Sequence, residues 1–161
     1  MRAGRALPLL AAVLLGACGF HLQGRTPLPA VVKTPYVEAP DRQSDFVQSL
    51  RHELLSNGAQ LSPARDKSSA VISVLADQLT RRVISVSAAN QPNQYEVTYT
   101  VRISVSAGDK ELLPSQEVIE TRTYSFSEPL LLAKGHEEDV LREDMARSLA
   151  DRVMRLLSRL Q

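Results

Sequence analysis

Gln94-Tyr95-Glu96-Val97-Thr98-Tyr99-Thr100-Val101-Arg102-Ile103-Ser104-Val105 alternates without a break. Tyr95, Val97, Tyr99, Val101, Ile103 and Val105 face one way; Gln94, Glu96, Thr98, Thr100, Arg102 and Ser104 face the other. Strict period two over this length predicts a strand packed on one side and wet on the other. A sheet with one apolar face must be covered on that face, so this segment decides the fold class.

The neighbouring segments supply the sheet and its cover. Downstream, Gly108-Asp109 reads as a hairpin turn, and a further strand is expected at about 117–126. Its alternation is poorer, and Glu120 and Arg122 suit an exposed or partner-facing position. Upstream, Gln91-Pro92-Asn93 marks a turn. Residues 70–87 begin with Ile72, Val74 and Ala76 on one face. The phase slips near Gln78–Arg82 and resumes at Ile84 and Val86, which predicts a long strand with a bulge. Val31–Glu38 reads as a first strand, and Pro35 within it argues for a sheet edge.

Two amphipathic helices frame these strands. Phe46, Val47, Leu50, Leu54 and Leu55 share one helical face, with Ser44 or Asp41 able to cap the start and Asn57-Gly58 ending it. The last helix is expected from about Glu137 to Leu160, with Leu141, Met145, Leu149, Val153, Leu156 and Leu160 on one stripe. Glu137, Glu138 and Asp139 then stand at its start and Arg152, Arg155 and Arg159 near its end, complementing the helix dipole. Before it, Pro129 and Gly135 bracket a short apolar segment, Leu130-Leu131-Leu132-Ala133-Lys134. The order β-α-β-β-β-α predicts an α+β two-layer sandwich, with two helices on one face of a four-stranded sheet.

The beginning of the chain has a different character. Arg2 and Arg5 precede an apolar stretch from Leu7 to Leu15, followed by Gly16-Ala17-Cys18. A basic start, a short apolar run and small residues before a cysteine form the pattern of a bacterial lipoprotein signal. A membrane span needs about 20 apolar residues, and Pro8 interrupts this shorter run. An ordinary secretory signal would leave a free thiol in an oxidising compartment. The expected organisation is a cleaved signal over 1–17, a lipidated anchor and Pro/Gly-rich tether over 18–30, and one domain over 31–161. Cys18 is the only cysteine, so with its thiol acylated the domain rests on packing alone. The formal charge of +1 falls to −1 once Arg2 and Arg5 leave with the signal, which argues against nucleic-acid binding.

No catalytic constellation is visible. His21, His52 and His136 belong to no metal-binding motif, and there is no nucleophile elbow, P-loop or dinucleotide fingerprint. No catalytic or metal site and no cofactor is expected, apart from covalent lipid on Cys18. Arg81-Arg82 suits an anionic group, since guanidinium matches phosphate, or it solvates the open sheet face. Lys134 either contacts phosphate or marks the surface end of a buried segment. Glu137-Glu138-Asp139 reads as a solvated helix start. Tyr95 and Tyr99 read as core residues with polar tips.

Several stretches together resemble the LptE family of lipopolysaccharide-assembly lipoproteins. They are Cys18-Gly19-Phe20-His21-Leu22, the helix segment Leu50-Arg51-His52-Glu53-Leu54-Leu55-Ser56-Asn57-Gly58, Tyr95-Glu96-Val97, and Pro129-Leu130-Leu131-Leu132-Ala133-Lys134. The resemblance implies a two-helix, four-strand sandwich seated as a plug in the lumen of the LptD β-barrel of the outer membrane. It implies N-acyl and S-diacylglycerol lipid on Cys18, a position facing the periplasm and the barrel lumen, contact with lipopolysaccharide, and no enzymatic activity. Basic residues tied to lipopolysaccharide in the family lie between the second and third strands and after the apolar segment. Lys134 matches the second position. At the first, Ser87-Ala88-Ala89-Asn90 carries no basic residue, and the nearest are Arg81 and Arg82. The other expectation open at this stage is a stand-alone, lipid-anchored periplasmic protein that binds lipopolysaccharide or another lipid.

Overall fold

The computed structural model of the chain describes residues 27–125 and 131–160, and of 131–137 the backbone alone. The alternating segment lies in β3 (Pro92–Ala107), between β2 (Ala70–Val86) and β4 (Lys110–Ser125). β1 (Pro35–Glu38) closes the sheet on the far side of β2, giving the order β1-β2-β3-β4. β1 pairs parallel with β2, and the other pairings are antiparallel, so the open sheet is mixed. The helices α1 (Asp45–Ser56) and α2 (Leu131–Leu157) complete the two-layer α+β sandwich.

One core joins the layers. Val97, Tyr99, Val101, Ile103 and Val105 of β3 are all buried, as the alternation demands. They pack in one cluster with Phe46, Leu50 and Leu54 of α1 and with Met145, Leu149, Val153 and Leu157 of α2. Each of the larger aliphatic side chains contributes about 1.5–3 kcal/mol by leaving water.

α1 has defined ends. Ser44 caps its start, its Oγ accepting from the Val47 amide at 3.2 Å. Asp41 instead accepts from the Gln43 amide at 2.8 Å, turning the preceding loop. At the other end Gly58 has φ +87, the Gly58 amide donates to Leu55 at 3.0 Å, and the Ala59 amide donates to Leu54 at 2.9 Å. That is a Schellman ending, which needs a residue free of Cβ strain at this position.

Several boundaries differ from the sequence reading. Residues 30–32 form a 3-10 turn, and the first strand begins at Pro35, where the sheet edge tolerates a residue without an N–H. Pro92 opens β3, and the turn before it is Ala88-Ala89-Asn90. Asn90 takes φ +59 there, and its amide donates to Ser87 at 2.9 Å. β4 starts at Lys110, directly after Gly108-Asp109, and Phe126, expected at its end, lies outside the described residues. α2 starts at Leu131 rather than near Glu137, so Leu131-Leu132-Ala133-Lys134 and Gly135 are helical, and Leu130 lies outside the described residues. Helix propensity is a weak local preference that tertiary context overrides, at a glycine cost of about 1 kcal/mol. Glu138 and Asp139 are therefore not at a helix start, and their charges meet side chains instead of the dipole.

The bulge in β2 also sits earlier than expected. Val74 pairs with Ile103 but Ala76 with Arg102, leaving Leu75 as the extra residue. One extra residue exchanges the two faces of a strand. Ile72 and Val74 face the helices before the bulge; Asp77, Leu79, Arg81 and Val83, opposite Val101, Tyr99, Val97 and Tyr95, do so after it. Ala76 consequently moves to the open face.

Candidate functional site

The hairpin of β2 and β3 runs past the core, and its distal part is where the singled-out basic residues lie. Arg81 and Arg82 are adjacent in a strand, so they face opposite sides. Arg82 lies opposite Glu96 on the open face, with Nε donating to Glu96 Oε1 at 2.6 Å. That ion pair holds the Arg82 guanidinium in its charged form. The open face carries further matched pairs in register. Arg102 Nη2 reaches Glu117 Oε2 at 3.2 Å, and Thr98 and Thr121 bring their hydroxyls to 3.5 Å. These pairs set charge against charge across the face, which also exposes Ile119.

Arg81 lies on the helix side and is clasped. Its Nη1 meets Glu138 Oε1 of α2 at 2.8 Å, and its guanidinium stands over the Tyr95 ring, 4.8 Å from the centroid. Nη1 is 3.5 Å from the Tyr124 hydroxyl, which itself donates to Glu138 Oε1 at 2.5 Å. Tyr95 and Tyr124 stack with centroids 5.5 Å apart. Tyr124 and Glu138 together hold Arg81 in its charged form. Burial first, and its bond to Glu138 second, push the Tyr124 hydroxyl above the usual tyrosine range, so it remains a donor at neutral pH. Beneath the clasp a groove of about 260 Å³ runs between the sheet and α2, with Leu79, Val97 and Leu141 as apolar walls and Arg142 at its side. A mixed groove of this kind suits an amphiphile with an anionic group.

The structure thus separates Arg81 from Arg82 and commits both to carboxylates. Lys134 falls in the first turns of α2, one helical turn before Glu138, which brings its backbone to the same end of the molecule as Arg81. Its side chain and Cys18 both lie outside the described residues. Sequence reasoning missed Tyr124 and Glu138 as partners of Arg81. The one signal for the clasp was Tyr95 on the apolar phase of β3, whose ring face suits a cation such as Arg81 where the strand nears solvent.

Glu120 corrects another expectation. It is only 7% exposed and faces the helices, not a partner. Arg122 Nε donates to it at 2.8 Å, and Arg152 of α2 also contacts its carboxylate. Arg152 Nη1 further donates to the Ile119 carbonyl at 2.8 Å. The arrangement pins the sheet edge to α2. Among the described residues no group of His, Cys, Asp or Glu side chains comes together as a metal site, and no helix is long and apolar enough to cross a membrane.

Comparison with known proteins agrees with this geometry. The family model described as LptE, lipopolysaccharide-assembly, matches residues 32–157. The LPS-assembly lipoprotein LptE of Pectobacterium atrosepticum is 28% identical over 150 residues, covering 92% of this chain and 80% of that protein. The protein of the same description from Photorhabdus laumondii is 26% identical, covering 92% and 81%. Among solved structures, an uncharacterized lipoprotein B from Nitrosomonas europaea superposes with a TM-score of 0.71 at 27% identity, covering 87% of this chain and 90% of that one. The rare lipoprotein B of Shewanella oneidensis shares the fold, with a TM-score of 0.68 at 22% identity over 78% of this chain and 93% of that one. With its whole core, both helices and all four strands inside the matched stretch, the chain belongs to the LptE lipopolysaccharide-assembly family.

Proposed function

We propose that this chain is a lipid-anchored outer-membrane lipoprotein that plugs an LptD-type β-barrel, assists its assembly and takes part in placing lipopolysaccharide in the outer membrane. The observation that carries this reading is the family match over residues 32–157, which covers the entire sandwich. The self-paired charges of the open sheet face support it, because a barrel lumen is wet and polar and accepts a plug without a large apolar patch. In this reading Cys18 carries the N-acyl and S-diacylglycerol lipid, multiple chains make attachment stable, and the chain does no catalysis. Lipopolysaccharide contact falls at the distal end, where Lys134, Arg81 and the groove beside Leu79 and Leu141 lie at one end of the fold. Arg82, on the opposite face, is assigned to the barrel-facing surface.

Extraction of envelopes in mild detergent tests the plug. The full chain should co-purify with a large β-barrel protein, and recovery as a free monomer would sink the reading. Lys134→Asp in the full chain should weaken lipopolysaccharide binding while leaving co-purification intact. Binding without any barrel partner would favour the stand-alone lipid-binding protein. Cys18→Ser should release the chain from the membrane fraction.

A further inference from the structure

Most described arginines hold a carboxylate: Arg65 pairs with Glu38, Arg102 with Glu117 and Arg147 with Asp144. Arg42 and Arg51 do not, and both line one cleft formed by β1, the loop before α1, α1 itself and the loop after it, which shares no lining residue with the groove beside Arg81. The cleft has a volume of about 240 Å³. Leu61, Ser62 and Pro63 form its far wall, Tyr36 its near one, and no carboxylate lines it.

Its donors are held in place. Gln48 of α1 donates from Nε2 to the Arg42 carbonyl at 2.8 Å, fixing that loop to the helix. The Arg42 guanidinium stands over the Tyr36 ring, 5.8 Å from the centroid, and Nη2 donates to the Tyr36 hydroxyl oxygen at 2.5 Å. Because that oxygen accepts from Arg42, the Tyr36 proton is left to donate elsewhere. Arg51, on α1, makes no hydrogen bond or ion pair with another described residue, so its guanidinium donors are open. The wall is fixed by the Ser62 amide bonded to the Pro35 carbonyl at 2.9 Å and the Ser62 hydroxyl bonded to the Ala64 carbonyl at 2.7 Å.

We propose that this cleft binds a phosphate ester, with the Arg42 and Arg51 guanidiniums and the Tyr36 hydroxyl as its donors. Two cations facing one cleft without a counter-charge repel until an anion enters. Guanidinium forks match phosphate oxygens, and a tetrahedral group accepts from several directions at once, as donors on separate elements require. The cleft also lies near the entry of the chain. The Gln60 amide, next to Leu61, donates at 2.8 Å to the carbonyl of Lys33, just past the 3-10 turn at Ala30–Val32. Cys18 is nine residues before Pro27, a reach of at most about 30 Å. A membrane-lipid headgroup is therefore the favoured source of the phosphate over the free ion. That choice of source rests on the lipid anchor proposed above; the cleft does not.

The test uses the full chain, with the Arg51 Nε–H resonance in NMR as the readout. In neutral detergent micelles, inorganic phosphate should shift this resonance. Measured by calorimetry, Arg51→Gln should weaken phosphate binding about tenfold, Arg42→Gln with Arg51→Gln should remove it, and Arg155→Gln, outside the cleft, should not change it. In nanodiscs of an uncharged, phosphate-free glycolipid, replacing part of that lipid with phosphatidylglycerol should shift the resonance without added phosphate. A shift with inorganic phosphate alone would keep the cleft and overturn the headgroup source. No shift with either, or equal weakening by Arg51→Gln and Arg155→Gln, would overturn the site. Cys18→Ser separates the two readings: it should release the chain from the membrane and leave inorganic phosphate binding unchanged.

Discussion

Ile103 and Val83 both face the helix layer, yet Ile103 is fully buried and Val83 is 46% exposed. Ile103 sits in the proximal half of the sheet, where β1 flanks β2 and the helices close over the strands. Val83 sits in the distal half, where the hairpin has outrun its cover. In the first half apolar contact dominates, with Glu120 and Arg152 fastening the sheet edge to α2. In the second, Arg81, Tyr95, Tyr124 and Glu138 tie the sheet to α2 through charge and aromatic stacking. The contrast teaches that one alternation can continue through two kinds of environment. The proximal half supplies stability, and the distal half presents a mixed surface at little energetic cost to the rest.

The largest expected effect breaks the proximal half. Ile103→Ala should cost about 2–5 kcal/mol in chemical denaturation, because the cavity lies in a closed core. Val83→Ala should stay within about 0.5 kcal/mol, since its side chain is already half in water. Comparable losses at both positions would erase the distinction. Next, Glu120→Gln removes the charge that Arg122 and Arg152 share. Both arginines are nearly half exposed, so the loss is discounted to about 1–2 kcal/mol. Glu138→Gln should change global stability by less than about 1 kcal/mol. Its effect should be local, read as faster amide exchange along Arg81–Val86 with unchanged exchange at Val101–Val105.

The smallest effect is at high pH. Burial first, and the neighbouring Asp77 carboxylate second, raise the Tyr99 hydroxyl above its ordinary value. The folded state thus prefers the neutral phenol. That preference is fully present below the unfolded value of about 10, and it is lost as pH rises from there towards the folded value. The wild-type chain should lose stability in that alkaline window, and Tyr99→Phe should flatten the loss.

Much of the fold was legible because it rests on local periodicity. β3 announces itself through its alternation, and α1 through Ser44, its apolar stripe and Gly58. Register was not legible. Counting back from Gly108-Asp109 alone would set Tyr95 opposite Arg122. Irregularities between Ile103 and Val105, and between Val105 and Ser106, add two residues on the β4 side and bring Tyr124 opposite Tyr95. Pro114 lies in that irregular stretch, where a residue without an N–H is tolerated. Face parity survives the two-residue shift, but the partner changes, and with it the clasp around Arg81. The start of α2 was hidden for a similar reason. Gly135 reads locally as a break, while the backbone remains helical across it. Arg42 and Arg51 gave no signal, because residues nine apart on a loop and a helix meet only in three dimensions.

β1 is four residues long and pairs only with Ala70–Ser73. Among the described residues, β2 from Ala76 to Val86 therefore has no neighbour on that side. So long a bare edge is a template for self-association. The bulge at Leu75 bends its start, and Asp77, Arg81 and Arg82 place charge along it. Two copies laid antiparallel about Arg81 would set arginine against arginine, which disfavours the pairing. The same strand that extends the hairpin beyond the core thus carries its own protection against aggregation, and Arg81→Val with Arg82→Val would turn a soluble edge into an adhesive one.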